Sequence, residues 1–487
     1  MSAVGAGSTA RIADFVAAIR YEDLPASVAH DTKRIIADTI ACALGATSMV
    51  AGQIIISTAH ELGQSPRAAT VIGSRRRASA AACAFANSYL ANLLDGDETL
   101  LNSTHHACCT VFPALALCEA QAAHGKELIA AVAAGYDIGA RIGLSLTIAS
   151  INVNGDVQRV PTAGLGWAIF AAASAGGRAM RLTAAEIAHA LGIAGWVSPI
   201  SCHRKWDETR ELHMMKNSPH GFMGMHGVMA AQMAQAGMQA DTSILDGEAG
   251  YWALSGSPDC NWEVLTGALG EKWWISEAAV KPYAINRLAH HSIDAFRKIV
   301  RNYRLQPDEI SSVCVKTFAR VASPFLSGTA APETPIAAQF SLPFALAACA
   351  YGIELTPHWQ SAEVLNDVRL RSFTQRIRVE TDPAIQRLMA EDFRRTRRYP
   401  RVPATVIVTA RGTSYSASTE YAWGDPGTKE TRMTDEELKA KFMEYTAAVM
   451  MPKRAAALLD ALFNLEDISS ITKEIPPLLR TIVRPRS

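Results

Sequence analysis

The stretch RLTAAEIAHALGIA, residues 181–194, sets the kind of fold open to this chain. Thr183 and Glu186 have the spacing of a capping box, in which each side chain satisfies an amide of the other, and Ile187, Ala190, Leu191 and Ala194 recur at the helical period. Segments 33–46, 79–94, 112–123, 127–143, 166–178 and 220–237 share this character and are rich in alanine, which lets helices approach closely; no strand is expected among them. After residue 272 the period changes. SSVCVKTFA (311–319), QRIRVETD (375–382), ATVIVTAR (404–411) and TSYSASTEY (413–421) are β-branched and partly alternating, with Gly412 supplying a turn between the last two. The segments 337–352 and 382–395 between them are helical in pattern. The expected fold is mostly α: a large all-helical domain (1–272), a smaller α+β lid domain (273–421), and C-terminal helices (422–487) that return to the first domain.

Composition narrows the function classes. With 47 basic and 46 acidic residues the net charge is +1, so no overall field steers the chain toward nucleic acid or a membrane surface. The runs Arg75–Arg77 and Arg394–Arg398 lack interleaved aromatic residues and read as solvated or interface faces. Nine cysteines without a CxxC pair point to a reducing compartment, and the N-terminus MSAVGAGSTARIADF lacks a secretory pattern, so a cytoplasmic location is expected. No GxGxxG, Walker A or nucleophile-elbow motif stands in a convincing strand-turn-helix context, which argues against a nucleotide cofactor and a serine hydrolase.

Three segments carry groups able to do chemistry. LLDGDETLLNSTHHACC (93–109) brings Asp95, Asp97, Glu98, His105 and His106 together. The HExxH spacing is missing and adjacent histidines on an extended segment point to opposite sides, which weighs against a metal. A general acid/base centre and a capped, solvated loop both remain open on the residues alone. In ELHMMKNSPHGFMGMHG (211–227), Lys216 precedes the turn around His220 and a helix; it forms either an anion pocket or an exposed surface lysine. In VKPYAINRLAHHSID (280–294), Lys281, Arg287, His290 and His291 offer a clamp for carboxylates at the start of the second domain.

Taken together, LPASVAHDTKRIIADTIACALGA (24–46), LLDGDET (93–99), HALGIAG (189–195), Lys216 with His226-Gly227, LGEKW (269–273), VKPYAINRLAHHSID (280–294) and AAQFSLPFA (337–345) resemble the MmgE/PrpD family in order and spacing. The resemblance implies a cytoplasmic-type homodimer with a pocket between a helical domain and a lid, acting on a small carboxylate without a metal or organic cofactor. It matches Asp95 and Thr99 to the family's first active-site loop and Lys216 and Lys281 to its pocket lysines. The family histidine falls on His105 counted forward from Asp95 and on His106 counted back from Pro113; His106 is preferred. Arg287, His290 and His220 are carried as substrate-binding residues.

Two positions depart from the family pattern. Val160 stands where the decarboxylase and dehydratase branches have a second histidine, and Phe344 stands where the family pattern FSLPY has a tyrosine. His203, His213, His220 and Tyr283 are candidates to replace the lost groups. The expectation is a cofactor-independent lyase or isomerase that transfers a proton next to a carboxylate. An iminodisuccinate-type epimerase is the alternative within the family, and a non-catalytic binding or dimer-scaffold protein is the alternative of another class.

Overall fold

In the computed structural model, residues 5, 7–63, 65, 68–101, 103–151, 157–160, 166–199 and 213–481 are described. The first half is a stack of helices: Ala26–Ala46, Ala80–Leu93, Cys108–Ala120, Gly125–Ser145, Ala168–Ala179, Ala184–Trp196 and Ser218–Gln235. The capping box at Thr183 forms, its side chain accepting from Glu186 N. Small residues set the helix spacing. At Gly227 an added Cβ would lie 2.3 Å from Ala172 Cβ, so Ser218–Gln235 and Ala168–Ala179 touch nearly backbone to backbone. Gly125–Ser145 is long and apolar enough to cross a bilayer, yet its apolar window is wholly buried against its neighbours, as in a core helix.

The second half contains a four-stranded sheet in the order Ile377–Thr381, Ile310–Thr317, Ala404–Ala410, Thr413–Thr419. The first pair is parallel and the other two are antiparallel. Ala404–Ala410 alternates buried and half-buried residues, as a strand packed on one face must. These strands and the helices Leu342–Ala350 and Pro383–Thr396 follow the periodicity of the sequence.

The expectation of no strands in the first half is corrected by two short ribbons, Ala69–Thr70 with Arg77–Ala78 and Ala149–Ile151 with Val157–Arg159. Such short strands are too brief to show alternation. The first ribbon is held by a buried side chain distant in sequence: Glu119 accepts from Thr70 N at 2.9 Å, Thr70 Oγ1 at 2.8 Å and Arg77 Nη2 at 2.7 Å. One member of the first basic run is thereby accounted for.

Helix Asp435–Thr446 and its flanking C-terminal segments are tied to Ala26–Ala46 by a series of ion pairs. Arg34 meets Asp435, Arg432 meets Asp31 and Lys441 meets Asp38, while Lys33 reaches Glu466 at 2.6 Å. This pairing explains how a helix of the core carries Asp31, Lys33, Arg34 and Asp38 as buried residues, since buried charge is tolerated only when paired.

Candidate active site

The helix Ala80–Leu93 ends at the acidic loop, and the loop is buried: Asp95 is 1% exposed, and Asp97 and Glu98 are fully enclosed. A solvated connection is therefore excluded. Burial of three carboxylates requires partners, and each has them. Asp95 accepts from Lys281 Nζ at 2.5 Å through Oδ1 and from Lys216 Nζ at 2.7 Å through Oδ2. Asp97 accepts from Asn92 Nδ2 at 2.9 and 3.2 Å. Glu98 accepts from Ala107 N at 2.5 Å and from Tyr136 OH at 3.1 Å.

Asp95 itself has φ 52°, a left-handed conformation that is uncommon outside glycine. Surrounding contacts hold it there. Gln339 and Gln360 donate to the carbonyls of Leu93 and Leu94, each at 2.9 Å. Lys441 donates to the Gly96 carbonyl at 2.7 Å, and a Cβ at Gly96 would lie 2.6 Å from Tyr445 OH. Thr99 exchanges two backbone bonds of 2.9 Å with Ala279, which locks the loop to the extended segment carrying Lys281.

The two histidines are placed differently. His105 Nδ1 lies 2.7 Å from the Glu98 carbonyl, 3.2 Å from Asp97 Oδ2 and 3.4 Å from Thr99 Oγ1. The two nearest neighbours can only accept, so Nδ1 carries the proton. In the uncharged form of the ring Nε2 is then the basic nitrogen, 3.9 Å from Asp95 Oδ1. The edge of His220 packs against this ring with centroids 5.9 Å apart. His106 is fully buried behind the loop, 2.9 Å from Ser103 Oγ through Nε2 and stacked edgewise on Tyr136. Its Nδ1 faces Gly139, where a Cβ would lie 2.8 Å away.

Electrostatics separate the groups further. Burial alone would raise the Asp95 carboxyl, but Lys216, Lys281 and His105 together hold it well below the usual carboxylate range. Asp97 is likewise lowered, burial being outweighed by His105. Glu98 is pushed up to about 7 by burial, against the opposing pull of His105 and its two donors. Burial depresses His106 to about 3, so its ring is neutral at pH 7. Burial also lowers Lys216, with Asp95 opposing; its ammonium lies 4.7 Å from the centre of the Phe340 ring.

Of the remaining sequence candidates, His290 borders the cluster, its Nε2 lying 3.2 Å from the Ile285 carbonyl that Lys281 Nζ also approaches at 3.5 Å. Arg287 pairs with Asp425 and contacts His290 Nδ1 at 2.9 Å, while His291 Nε2 is 3.3 Å from Asp425 Oδ2; this second cluster joins the start of helix His290–Tyr303 to the segment before helix Asp435–Thr446. Tyr283 donates to Asp294 at 2.6 Å. Phe344 is fully buried with its ring 6.1 Å from that of Trp359. Val160 is half-buried, its amide donating to the Ile148 carbonyl at 3.1 Å. His213 is exposed, and His203 lies outside the described residues. Sequence reasoning left Asn92, Phe340, Tyr136 and Lys441 without a role. Asn92 sits in the last turn of helix Ala80–Leu93, near in sequence to the Asp97 it bonds; the other three come from distant segments.

Asp95, Asp97 and His105 each offer a ligand atom within 4.8 Å of the others, the spacing of a metal site. Their chemistry fits a cation poorly, because both Asp95 oxygens already face ammonium groups that would repel it. Two cations on one carboxylate, beside a histidine with a fixed tautomer, suit an anionic substrate that must gain or lose a proton.

Residues 10–263 match the MmgE/PrpD N-terminal domain and residues 283–467 the MmgE/PrpD C-terminal domain. The chain is similar to cis-aconitate decarboxylase of Aspergillus terreus, 27% identical over 312 residues that cover 61% of each protein. It is also similar to cis-aconitate decarboxylase-like protein oryM of Aspergillus oryzae, 25% identical over 321 residues covering 63% of this chain and 64% of that protein. The matches thus span less than two thirds of either relative.

Proposed function

Because the chain belongs to the MmgE/PrpD family, we propose that it is a lyase acting on a small polycarboxylic acid by proton transfer at a carbon next to a carboxylate. The observation that carries this reading is Asp95, clamped by Lys216 and Lys281 with His105 beside it. Lys216 and Lys281 bind substrate carboxylate and stabilise the enolate-like charge that develops when the neighbouring carbon loses its proton. Asp95 holds the two ammonium groups toward one place before substrate arrives. His105 takes the proton on Nε2, and Asp97, fixed by Asn92, stabilises the imidazolium that forms. Thr99 adds a hydroxyl at the same wall. His106 is the second candidate, disfavoured as a base by its enclosure and its low proton affinity.

The reaction runs without a metal or organic cofactor on this reading, since the lysines take the place of a Lewis acid. The test is incubation of the protein with cis-aconitate, citrate and a panel of dicarboxylates in deuterated water, followed by proton NMR. Deuterium entering the carbon next to a carboxylate, with net loss of carbon dioxide or water, supports the lyase. Exchange with inversion and no net loss identifies an epimerase, a reading favoured by the apolar residues Val160 and Phe344. No exchange into any acid overturns both and leaves a binding or scaffold role.

We further propose a homodimer and a cytoplasmic location. Phe222 and Met229, 40% and 42% exposed and two turns apart on Ser218–Gln235, support a face covered by a second copy, which light scattering of the purified chain tests. The described cysteines are all free thiols, which supports a reducing compartment.

A further inference from the structure

A cavity of about 340 Å³ opens between the two halves of the chain, away from the lysine cluster. One wall is the chain leaving helix Gly125–Ser145, including Leu146 and Ile148; the other is the end of helix Pro383–Thr396, with Phe393, Arg394, Arg397 and Arg398. The first wall is fixed in place, since Leu146 bridges to Cys260 and the Ser145 carbonyl accepts from Asn261 N at 2.8 Å. Arg397, at φ 56°, ends the helix in a left-handed turn that brings the arginines to the cavity.

The charges at this corner do not balance. Arg395 pairs with Asp392 at 3.2 Å, Arg401 with Asp392 and Glu420 at 2.9 Å each, and Arg397 with Asp259 at 2.8 Å. Arg394 and Arg398 make no ion pair among the described residues. A helix C-terminus favours nearby cations, which accounts for basic residues in the last turn. It does not account for Arg398, which lies beyond the helix, is half-buried, and has its guanidinium 4.4 Å from the centre of the Trp274 ring. Burial lowers the proton affinity of that guanidinium, with only Glu277 opposing. A half-buried cation facing a cavity without a carboxylate is costly unless an anion joins it.

We propose that this cleft is a second binding site, for a small organic anion with an aliphatic body, held by Arg394 and Arg398 through its carboxylate and by Leu146, Ile148 and Phe393 along its stem. Arginine pairs with carboxylates bidentately, and the apolar part of the wall at Leu146, Ile148 and Phe393 favours an organic anion over a simple inorganic ion. Along helix Gly125–Ser145 the cleft connects to the closed space around His106, behind the acidic loop. A Cβ at Gly143, one residue before Leu144 of the cavity wall, would lie 2.3 Å from Ser103 Oγ, and Ser103 contacts His106. Val160 is bonded to Ile148 of the same wall. The choice of a carboxylate as the ligand rests on the function proposed above; the cationic cleft itself does not.

The test is calorimetric titration with propane-1,2,3-tricarboxylate. The wild-type chain is expected to show two binding events. The R394Q/R398Q variant, altered at the cavity wall and outside the core, should lose one of them or weaken it at least tenfold, while K281M should remove the other. A thermal melt of each variant separates loss of binding from loss of fold. A single event, or none, unaffected by R394Q/R398Q overturns the proposal. Absence of turnover on every acid tested would refute the lyase reading and leave the arginine-dependent event standing, so the two failures are distinguishable.

Discussion

Substituting the two adjacent histidines one at a time, His105→Asn and His106→Asn, separates two residues that the sequence could not rank by geometry. With a proton affinity near pH 3, holding a proton on His106 at pH 7 costs about 5.5 kcal/mol, four pH units at about 1.4 kcal/mol each. A base works best with its proton affinity near the working pH, so His106 is poorly matched to the task. His105 keeps Nε2 free while Nδ1–H is held by the Glu98 carbonyl and Asp97. His105→Asn is therefore expected to slow deuterium exchange into the substrate by roughly 10²–10⁴, or about 2.7–5.5 kcal/mol of barrier, with a smaller change in KM. His106→Asn should leave exchange within about tenfold and instead lower stability, because it empties part of a closed space between Tyr136 and Gly139 and strands Ser103. The measurements are initial exchange rates by proton NMR and urea unfolding of each variant. A His106→Asn chain that loses a hundredfold in rate while His105→Asn keeps it would refute the assignment.

Four further outcomes follow from the same geometry. Asp97→Asn should lower kcat, by no more than the roughly 10²–10⁴ expected for His105 itself, with KM less affected, because Asp97 orients the ring without reaching substrate; a change confined to KM would contradict this. Glu98, raised to about 7 when folded from the ordinary 4.5, binds its proton more tightly in the native state, so it costs stability as pH rises from 4.5 through 7. Glu98→Gln should remove that loss, making the variant more stable than wild type at pH 8 by up to about 3 kcal/mol, with the difference vanishing below pH 4.5; unfolding at both pH values checks it. Taking the difference matters, since neutral, buried His106 acts in the opposite sense, losing stability as pH falls from 6.5 toward 3. Lys441→Met leaves Asp38 buried without its cation and should cost about 3–5 kcal/mol in chemical denaturation, most of it recovered by adding Asp38→Leu. Exhaustive dialysis against a chelator should leave the exchange rate unchanged, as the lysines supply the positive charge; loss restored by a divalent metal would favour the alternative use of Asp95, Asp97 and His105.

Much of the architecture was legible because local signals agreed with the final packing. Thr183 with Glu186 caps a helix where the spacing says it should, and the four strands of the second half carry their own alternation. The ribbon at Ala69–Thr70 was not legible, because Glu119, from a helix nearly fifty residues away, holds it. The same contrast runs through the candidate site. The residue types at 95, 99, 216 and 281 were readable as a pattern, but not that Asp95 would join Lys216 to Lys281 or that Gln339, Gln360 and Lys441 would hold the loop.

The sequence by itself determined the helical period of the first half, the change to strands after residue 272, and an inventory of carboxylates, lysines and histidines suited to proton transfer on an acid. Only the tertiary structure decided which partners bury those charges, that Arg287 is taken by Asp425, and that His105 presents a basic nitrogen while His106 is closed in by Tyr136 and Gly139. The physical reason is range. Caps and periodicity act between residues a few positions apart, whereas desolvation and Coulomb interaction depend on distance in space, and here the chain folds groups more than a hundred residues apart onto one carboxylate.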